Sequence, residues 1–319
     1  MPSPIADQLA LPVIAAPMFL VSSPEMVIEA CRSGIIGSFP SLNARPVEVL
    51  DDWMKRIADE LEKTRWDQPD KPIAPWAVNL IVHRTNQRYE ADLELIRKHR
   101  PPIVITSLGN PAPVVEIVHG YGGLVFSDVS TLVHAKKAAD SGVDGLILVC
   151  SGAGGHAGRI NPFAFVGEVR RFWDGILVLA GCLSSGRDVF AAQAMGADLA
   201  YMGTRFIPAA ESFASSEYKQ MLIESNLDDL IYTDAFSGVH ANFLKPSIRR
   251  AGLDPDRLEK KETVDFSHLS RSDVKAWKDI WSAGQGVGRI ERVQTVSEIV
   301  ADLKREYEEA LGDLRQGIS

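Results

Sequence analysis

A glycine-rich segment with a single histidine carries the strongest chemical signal in this chain. Residues 151–158 read SGAGGHAG and directly follow the apolar run 145–150, which has the length and branching of a buried parallel strand. The glycines end this strand and allow the backbone to approach a flat or anionic ligand closely, because no Cβ intervenes. An ionisable side chain at the carboxyl end of a strand is well placed to act on such a ligand. His156 is therefore the candidate catalytic residue, and a tight turn with an exposed histidine is the alternative.

Two further turns have the composition of phosphate-binding loops. Residues 181–186 read GCLSSG, and Gly203-Thr204 follows the next apolar run. Both combine glycine with hydroxyl residues and can present backbone N–H groups to a phosphate, and a helix that begins after Ser184 would add its positive N-terminal end. Glycine is also common in ordinary turns that bind nothing. The position of these two turns on successive strands favours a phosphate site.

Other predicted strand ends carry polar or soft side chains, namely Met18, Asn79, Ser107 and Asp128. An amide such as Asn79 within an apolar strand needs a hydrogen-bond partner, which a flat cofactor or a neighbouring backbone group would supply. Met18 considered alone is more consistent with core packing than with ligand contact. A phosphate site beside an apolar mouth with hydrogen-bonding groups predicts FMN. No metal is expected, because His156 has no potential ligand nearby at metal-site spacing, and the G-x-S-x-G motif of serine hydrolases is absent.

The elements that must position these residues alternate regularly along the chain. Short β-type runs are separated by helix-like segments, some with clear start signals such as Ser23-Pro24, Ser130 and Ser184 or Ser185. The predicted strands are Val13–Ala16, Ile35–Phe39, Ala77–Ile81, Ile103–Ser107, Leu124–Ser127, Leu146–Cys150, Ile176–Ala180 and Leu199–Met202. Eight such strands predict an α/β fold of the (β/α)8 TIM-barrel type. A doubly wound open sheet is disfavoured, because no dinucleotide-binding glycine motif follows the first strand.

The chain is predicted to form a single FMN-binding barrel domain over residues 1–319. From about residue 205 to 290 the alternation stops, and this part is interpreted as a lid or extension after the eighth strand. A charged helix is predicted near Val296–Leu314. Residues 284–288 are glycine-rich but follow a helix-like stretch, so they do not match a dinucleotide fingerprint.

The overall composition excludes several classes of protein. The 319 residues have a net charge of −8 with interspersed acids and bases, so neither nucleic acid nor a membrane surface is an expected partner. No secretory signal or span-length apolar run is apparent. Cys31, Cys150 and Cys182 are an odd number of cysteines without a C-x-x-C pair, which is typical of a reducing cytoplasm. A cytoplasmic enzyme, monomeric or homodimeric, with a small-molecule substrate is expected.

Taken together, several motifs resemble the nitronate monooxygenase family, formerly called 2-nitropropane dioxygenases. The resemblance covers roughly residues 11 to 290. The motifs that carry it are AAPM at 15–18, Asn79, GGH at 154–156, AG at 180–181, GAD at 196–198, MGTRF at 202–206 and WSAGQG at 281–286. The resemblance implies a flavoprotein barrel that oxidises alkyl nitronates or nitroalkanes with O2 to a carbonyl compound and nitrite.

The resemblance also implies roles for individual residues. His156 matches the catalytic histidine of the family. By position, Gly154, Gly181, Gly203 and Thr204 would contact the FMN phosphate or ribityl chain, and Asn79 and Gln285 would lie near the flavin. With the residues at the other strand ends, the full set of predicted cofactor-binding residues is Ala16, Pro17, Met18, Asn79, Ser107, Asp128, Gly154, Gly155, Gly181, Cys182, Met202, Gly203, Thr204 and Gln285. This chain departs from the family pattern at two places. Cys182 stands where many members have a second glycine, and the flavin-contacting Gln that many members carry before GGH is missing.

Two other functions remain open at this point. An NAD(P)H-dependent FMN reductase that acts on an enoyl thioester or a quinone would use the same cofactor site. A flavin- or phosphate-binding protein without catalysis would not need His156. Among the remaining histidines, His240 is of interest because residues 237–243 are a candidate lid.

Overall fold

The computed structural model describes residues 5–236, 238–259 and 279–317. In chain order its strands are β1 (Val13–Ala15), β2 (Ile36–Pro40), β3 (Trp76–Ile81), β4 (Ile103–Ser107), β5 (Leu124–Val129), β6 (Gly145–Val149), β7 (Gly155–His156), β8 (Ile176–Ala180), β9 (Leu199–Met202), β10 (Leu230–Thr233) and β11 (Ala241–Leu244). Strands β1 to β6 with β8 and β9 form a closed barrel, and all their pairings are parallel. The predicted TIM-barrel fold and the eight predicted barrel strands are confirmed.

Most of the α-helices form a layer around this barrel, whereas the helices that begin at Ser216 and Lys245 pack against the segment after the eighth barrel strand. The helices are α1 (Pro24–Arg32), α2 (Val47–Asp67), α3 (Tyr89–His99), α4 (Ala112–His119), α5 (Leu132–Asp140), α6 (Pro162–Arg170), α7 (Gly186–Ala194), α8 (Ser216–Glu224), α9 (Lys245–Arg250) and α10 (Val296–Gly317). No described helix combines the length and the apolar character needed to cross a bilayer.

The predicted helix starts are confirmed at two places and shifted at a third. Ser23 accepts a hydrogen bond from the N–H of Met26 at the start of α1, and Ser185 forms a capping box with Asp188 at the start of α7. The prediction that Ser130 precedes a helix from 131 was one residue early, because the side chain of Thr131 caps α5. Such side-chain caps satisfy N–H groups that the first helical turn leaves without an intrahelical acceptor.

The core has two layers because successive strand residues point to opposite sides of the barrel wall. Side chains on the outer face pack under the helices, with the C-terminal helix α10 against α7 and α1. Those on the inner face fill the barrel, and they include Ile14, Ile36, Ala77, Ile103, Ile105, Phe126, Ile147, Val178 and Leu199. Two residues closer to the carboxyl end of several of these strands, the next inward-facing side chain is polar.

A small antiparallel sheet connects the segment after β9 to the barrel. Strand β11 pairs with β10 on one side and with β7 on the other, and β7 contains His156. The sequence patterns predict no strands at β7, β10 or β11, and the structure corrects this. The error has a physical reason, since each of these strands has at most four residues, and β7 pairs only with β11, about 85 residues later in the chain.

Candidate active site

A large cavity opens at the carboxyl ends of the barrel strands. Its volume is about 1280 Å³. Most residues predicted to contact a cofactor line it, together with His156: Ala16, Pro17, Met18, Asn79, Ser107, Asp128, Gly154, Gly155, Gly181, Cys182, Gly203 and Thr204. Since these residues come from turns or strand ends of seven different barrel strands, the fold alone brings them together.

The structure places two of the predicted residues away from the cavity surface. The side chain of Met202 is fully buried among outward-facing apolar residues between the barrel and its helices. Its direct role in ligand binding is therefore not supported, and its carbonyl instead accepts a hydrogen bond from the N–H of Ala16. Gln285 lies just behind the wall, where its backbone N–H donates to the carbonyl of Gly152 and its Oε1 lies 3.5 Å from Cys182 Sγ.

Three polar side chains on neighbouring strands form a hydrogen-bonded chain at the inner end of the cavity. The Asn79 amide donates to Ser107 Oγ at 2.7 Å and to the Ile105 carbonyl at 3.2 Å. The Ser107 hydroxyl donates to Asp128 Oδ2 at 2.6 Å. The hydrogen-bond partners that the sequence requires for Asn79 are therefore a serine and a backbone carbonyl.

Asp128 retains an unsatisfied oxygen in this chain of contacts. Its Oδ1 is closed off from solvent and has no hydrogen-bond partner among the described residues. Burial raises the pKa of Asp128 to about 6, although the hydrogen bond from Ser107 acts in the opposite direction. No described lysine or arginine forms an ion pair with this carboxylate. A carboxylate oxygen that is buried and unpaired in this way is costly to the folded state.

The raised pKa of Asp128 predicts a pH-dependent cost to stability. As the pH rises from about 4 to 6 the unfolded chain loses this proton before the folded chain does, so the free energy of unfolding falls. In ligand-free protein, Asp128→Asn should therefore gain stability relative to wild type by about 2 kcal/mol more at pH 7 than at pH 4. Chemical denaturation at the two pH values measures this difference. The exposed Asp140→Asn is the matched control, and an equal change in both variants would contradict the prediction.

Two further cavity residues that the sequence interpretation missed also have unsatisfied polar atoms. The hydroxyl groups of Tyr201 and Ser282 are buried without a hydrogen-bond partner in the described part of the chain. Tyr201 follows the inward-facing Leu199 by two residues, so strand alternation would have placed it at the inner end of the cavity. Burial, and then the neighbouring Asp128 carboxylate, hold the pKa of Tyr201 well above its ordinary value. Its hydroxyl therefore remains a potential donor.

The turns after β8 and β9 face the cavity with free backbone donors. The N–H groups of Cys182, Gly203 and Thr204 have no acceptor among the described residues. Thr204 Oγ1 accepts a hydrogen bond from the N–H of Gly284 at 2.8 Å, so its own hydroxyl proton remains available for donation. Backbone N–H groups with this arrangement are suited to an anion.

The predicted contribution of the α7 N-terminus to this anion site was wrong. The N–H groups of Ser184 and Ser185 both donate to the Asp188 carboxylate at 2.9 Å. The N–H of Gly186 donates to Glu306 Oε2 of α10 at 2.7 Å. Two carboxylates thus occupy the positive end of the helix, and the turns themselves must supply the donors.

The glycines of residues 151–158 allow protein segments, as well as a ligand, to approach closely. A Cβ on Gly152 would lie 2.2 Å from Cys182 Sγ, and one on Gly154 would lie 2.8 Å from the backbone N of Gly284. Only Gly155, with φ of +66°, has open space where a side chain would be. The sequence predicted close approach to a ligand, whereas Gly152 and Gly154 mainly join three loops into one wall.

The structure holds His156 in a short strand rather than in a free loop. Residues 155 and 156 of β7 pair with Asn242 and Ala241 of β11. The Asn242 amide donates to the Ala153 carbonyl at 2.7 Å and thereby anchors the preceding turn. His156 is half-buried and lines the cavity. Its backbone is therefore positioned by the segment after the eighth barrel strand, a device that preorganises a reactive side chain.

His240 faces a separate, smaller pocket and does not line the main cavity. Its Nε2 lies 2.9 Å from Arg159 Nη2 and 3.7 Å from Asp234 Oδ2, and its ring packs on Tyr232 at 4.9 Å between centroids. These contacts explain His240 as a structural residue on the outer side of β11. Residue 237 of the candidate lid lies outside the described residues.

The two cysteines near the cavity, Cys150 and Cys182, are not activated as nucleophiles. Burial raises the pKa of Cys150 to about 12 and also raises that of Cys182. Cys182 has φ of +61°, a left-handed conformation that glycine adopts more readily. The backbone thus keeps the geometry of a Gly-Gly turn although a side chain is present.

The architecture of the chain is shared with solved structures of other proteins. Nitroalkane oxidase from Streptomyces ansochromogenes superimposes with a TM-score of 0.80 at 22% identity, over 97% of this chain and 99% of that chain. FabK from Thermotoga maritima superimposes with a TM-score of 0.77 at 22% identity, over 99% of both chains. At these identities the likeness concerns the fold.

Sequence comparison goes further than the fold. A nitronate monooxygenase from Paraburkholderia phytofirmans is 25% identical over 96% of this chain and 94% of its own length. One from Neurospora crassa is 25% identical over 94% of this chain and 89% of its own length. The profile that describes nitronate monooxygenases matches residues 6–306. Because this match spans nearly the whole chain, the protein belongs to the nitronate monooxygenase family of oxidoreductases.

Proposed function

We propose that this protein binds FMN in the cavity and oxidises alkyl nitronates with O2 to a carbonyl compound and nitrite. The observation that carries the proposal is the combination of free backbone donors in two turns of the cavity with the polar side chains Asn79, Ser107 and Asp128 at its inner end. Cys182, Gly203 and Thr204 offer N–H groups suited to a phosphate. The side chains of Asn79, Ser107 and Asp128 line the cavity at the inner end of the barrel and form one hydrogen-bonded chain. FMN has a phosphate at one end and a polar ring edge at the other, so the residues present fit it.

The residues of the chain would divide the binding of FMN between them. The turns after β8 and β9 would bind the phosphate, and the Thr204 hydroxyl would add one donor. The polar chain Asn79–Ser107–Asp128 would meet the ring edge, and Ala16 and Met18 would contact its apolar part. When bound, FMN supplies the electron-transfer chemistry, and the protein supplies position and electrostatics.

His156 would act on the substrate either as a base that removes a proton or as a positive charge that pairs with the anion. A neutral imidazole can take a proton from the carbon next to a nitro group, and a protonated imidazole can pair with the nitronate anion. The strand pairing of β7 with β11 holds its backbone in place. The cavity also has an apolar wall that includes Phe19, Leu42, Ile81 and Leu108. This wall fits the alkyl part of such a substrate.

A reductase is the second candidate function. A structure described as an enoyl reductase domain from Bacillus amyloliquefaciens superimposes with a TM-score of 0.72 at 15% identity, over 98% of this chain and 97% of that chain. That likeness concerns the fold alone. An NAD(P)H-dependent FMN reductase would use the same cofactor site, so it is the alternative function, and anaerobic reduction of the flavin separates the two. For either one we propose a cytoplasmic location, which the unpaired cysteines support.

The proposal predicts a yellow protein that carries noncovalent FMN. Heat denaturation should release FMN and not FAD, since the cavity offers one set of phosphate donors and the chain has no dinucleotide fingerprint. Anaerobic addition of an alkyl nitronate should then bleach the flavin absorbance, whereas NADH should not. Release of FAD would contradict the cofactor assignment. A purified protein that is colourless and does not take up added FMN would contradict it as well. Rapid bleaching by NADH alone would favour the reductase.

A further inference from the structure

The apolar wall of the cavity lies across the barrel from the turns that offer free backbone donors. Its side chains come from four successive strands, with Phe19 after β1, Leu42 after β2, Ile81 at the end of β3 and Leu108 after β4. In the closed barrel of eight strands, β3 and β4 stand opposite β8 and β9. Ile81 follows Asn79 by two residues, so it faces the same side nearer the rim. The wall therefore borders the mouth of the cavity, away from the proposed phosphate-binding turns.

The apolar wall also reaches the strand that contains His156. Val239 packs on Leu42 together with the other wall residues. The carbonyl of the next residue, His240, accepts a hydrogen bond from the N–H of Ala157 at 3.2 Å, and Ala157 follows His156 directly. A substrate whose reacting carbon meets His156 can therefore extend its chain along the wall.

One residue of the wall has a backbone conformation that is unfavourable for its type. Leu108 has φ of +64°, in the left-handed region that glycine adopts more readily. Residues in such conformations cluster at active sites and ligand-binding sites. Leu108 packs on Leu42 and lines the cavity. Its side chain thus adds apolar surface to the cavity at a position where glycine would fit the turn with less strain.

The wall carries no charge, although an arginine lies directly behind it. Among the described residues, the basic side chains that line the cavity are His134, Lys137, His156 and Arg250, and none of these belongs to the wall. The Arg45 guanidinium carbon lies 5.2 Å from the centre of the Phe19 ring, but Arg45 does not line the cavity. Burial, and then the nearby charge of Arg88, lower the pKa of Arg45. Phe19 thus covers a positive charge that would attract an anion.

We propose that the apolar wall selects nitronates with an extended, uncharged alkyl chain, and that Phe19 determines this specificity by covering Arg45. The inference rests on the proposed function, because it requires that nitronates are oxidised in the cavity. An alkyl chain on the wall gains about three- to fourfold in binding for each methylene group that leaves water. A carboxylate at the end of the chain would lose its hydration without gaining a partner.

The nitronates of nitroethane, 1-nitropentane and 4-nitrobutanoate test this selection in the FMN-loaded, full-length protein. The last two have chains of similar length, but only 4-nitrobutanoate ends in a carboxylate. Wild type should have a kcat/KM about 30- to 60-fold higher on the nitropentane compound than on the nitroethane compound, because three more methylene groups are buried. It should favour the nitropentane compound over the acid by at least about a hundredfold, since the carboxylate has no partner on the wall.

Two wall variants separate the effect of shape from the effect of charge. Phe19→Ala removes apolar surface and uncovers Arg45, so the chain-length ratio should fall to about tenfold or less. Its kcat/KM on the acid should rise about tenfold, because a contact with a charged group becomes available, and high salt should reverse this gain. Leu108→Gly removes apolar surface and relieves the left-handed leucine but leaves Arg45 covered, so only the chain-length ratio should fall. Leu253→Ala, at an exposed leucine outside the cavity, is the matched control and should keep both ratios.

The possible results distinguish this inference from the proposed function. Similar kcat/KM values of wild type on all three nitronates would overturn the inference and leave the proposed function intact. An unchanged chain-length ratio in Leu108→Gly, or a Phe19→Ala variant without a salt-sensitive gain on the acid, would overturn it as well. Phe19 is only half-buried, and the milder Phe19→Leu should shift both ratios in the same direction by less. FMN-loaded wild type that oxidised none of the nitronates would instead contradict the proposed function.

Discussion

His156→Asn is expected to lower turnover on neutral nitroalkanes by about 10²- to 10⁴-fold while FMN remains bound, the usual range for loss of a general base. Asparagine removes the titratable ring but keeps a polar side chain, and the pairing of β7 with β11 uses only the backbone. A preformed nitronate needs no proton removed, so its oxidation should fall less. Steady-state rates measure turnover on a nitroalkane and on its nitronate, and flavin absorbance measures the FMN that remains bound.

The pattern of losses distinguishes two roles of His156. Equal losses on both substrates would indicate that His156 binds the anion by charge rather than removing a proton. His134→Asn is the matched control, since His134 also borders the cavity but is exposed at the start of α5. This control should retain full activity. Full activity of His156→Asn on both substrates would contradict the catalytic role and, with it, the proposed mechanism.

Gly203→Asp is expected to weaken FMN binding by at least about a hundredfold, since a carboxylate next to a phosphate in a partly buried site costs several kcal/mol. Gly203 has φ of −99°, a conformation open to any residue. A Cβ there would meet its nearest neighbour, Met18 Sδ, at 3.6 Å, which is an ordinary contact. The fold should therefore tolerate the side chain. Equilibrium titration of the cofactor-free variant with FMN, with circular dichroism as a check on folding, measures both effects.

Gly203→Asn isolates the contribution of charge, because asparagine has nearly the same shape as aspartate. We expect Gly203→Asn to bind FMN much more tightly than Gly203→Asp, and Gly203→Ala to lie closest to wild type. If all three variants bound FMN equally weakly, the effect would be steric. Unchanged occupancy in Gly203→Asp would show that the phosphate lies elsewhere and that the free N–H groups of this turn serve another purpose.

The barrel, and the end of the barrel where the predicted ligand-binding residues lie, could be predicted from local sequence patterns. Each barrel strand is a short apolar run buried on both faces, and this signal is local, so the predicted and observed strands agree within two residues. The cavity position of Asn79, Ser107, Asp128 and His156 follows from the fold, because parallel strands all end at the same rim. The alternation of inward- and outward-facing side chains along a strand would also have identified Tyr201 as a cavity residue.

The contacts that hold these residues, and the polar groups that are left without a partner, depend on long-range packing and could not be predicted. His156 is positioned by β11, which lies about 85 residues later in the chain, and the N-terminus of α7 is closed by Glu306 from the C-terminal helix. Gly152 and Gly154 are required by neighbouring loops and not by a ligand alone. The unsatisfied Asp128 Oδ1 likewise depends on which atoms surround it. Contacts between residues far apart in sequence leave no periodic pattern in the sequence. Which buried polar groups find a hydrogen-bond partner is therefore known only from the folded structure.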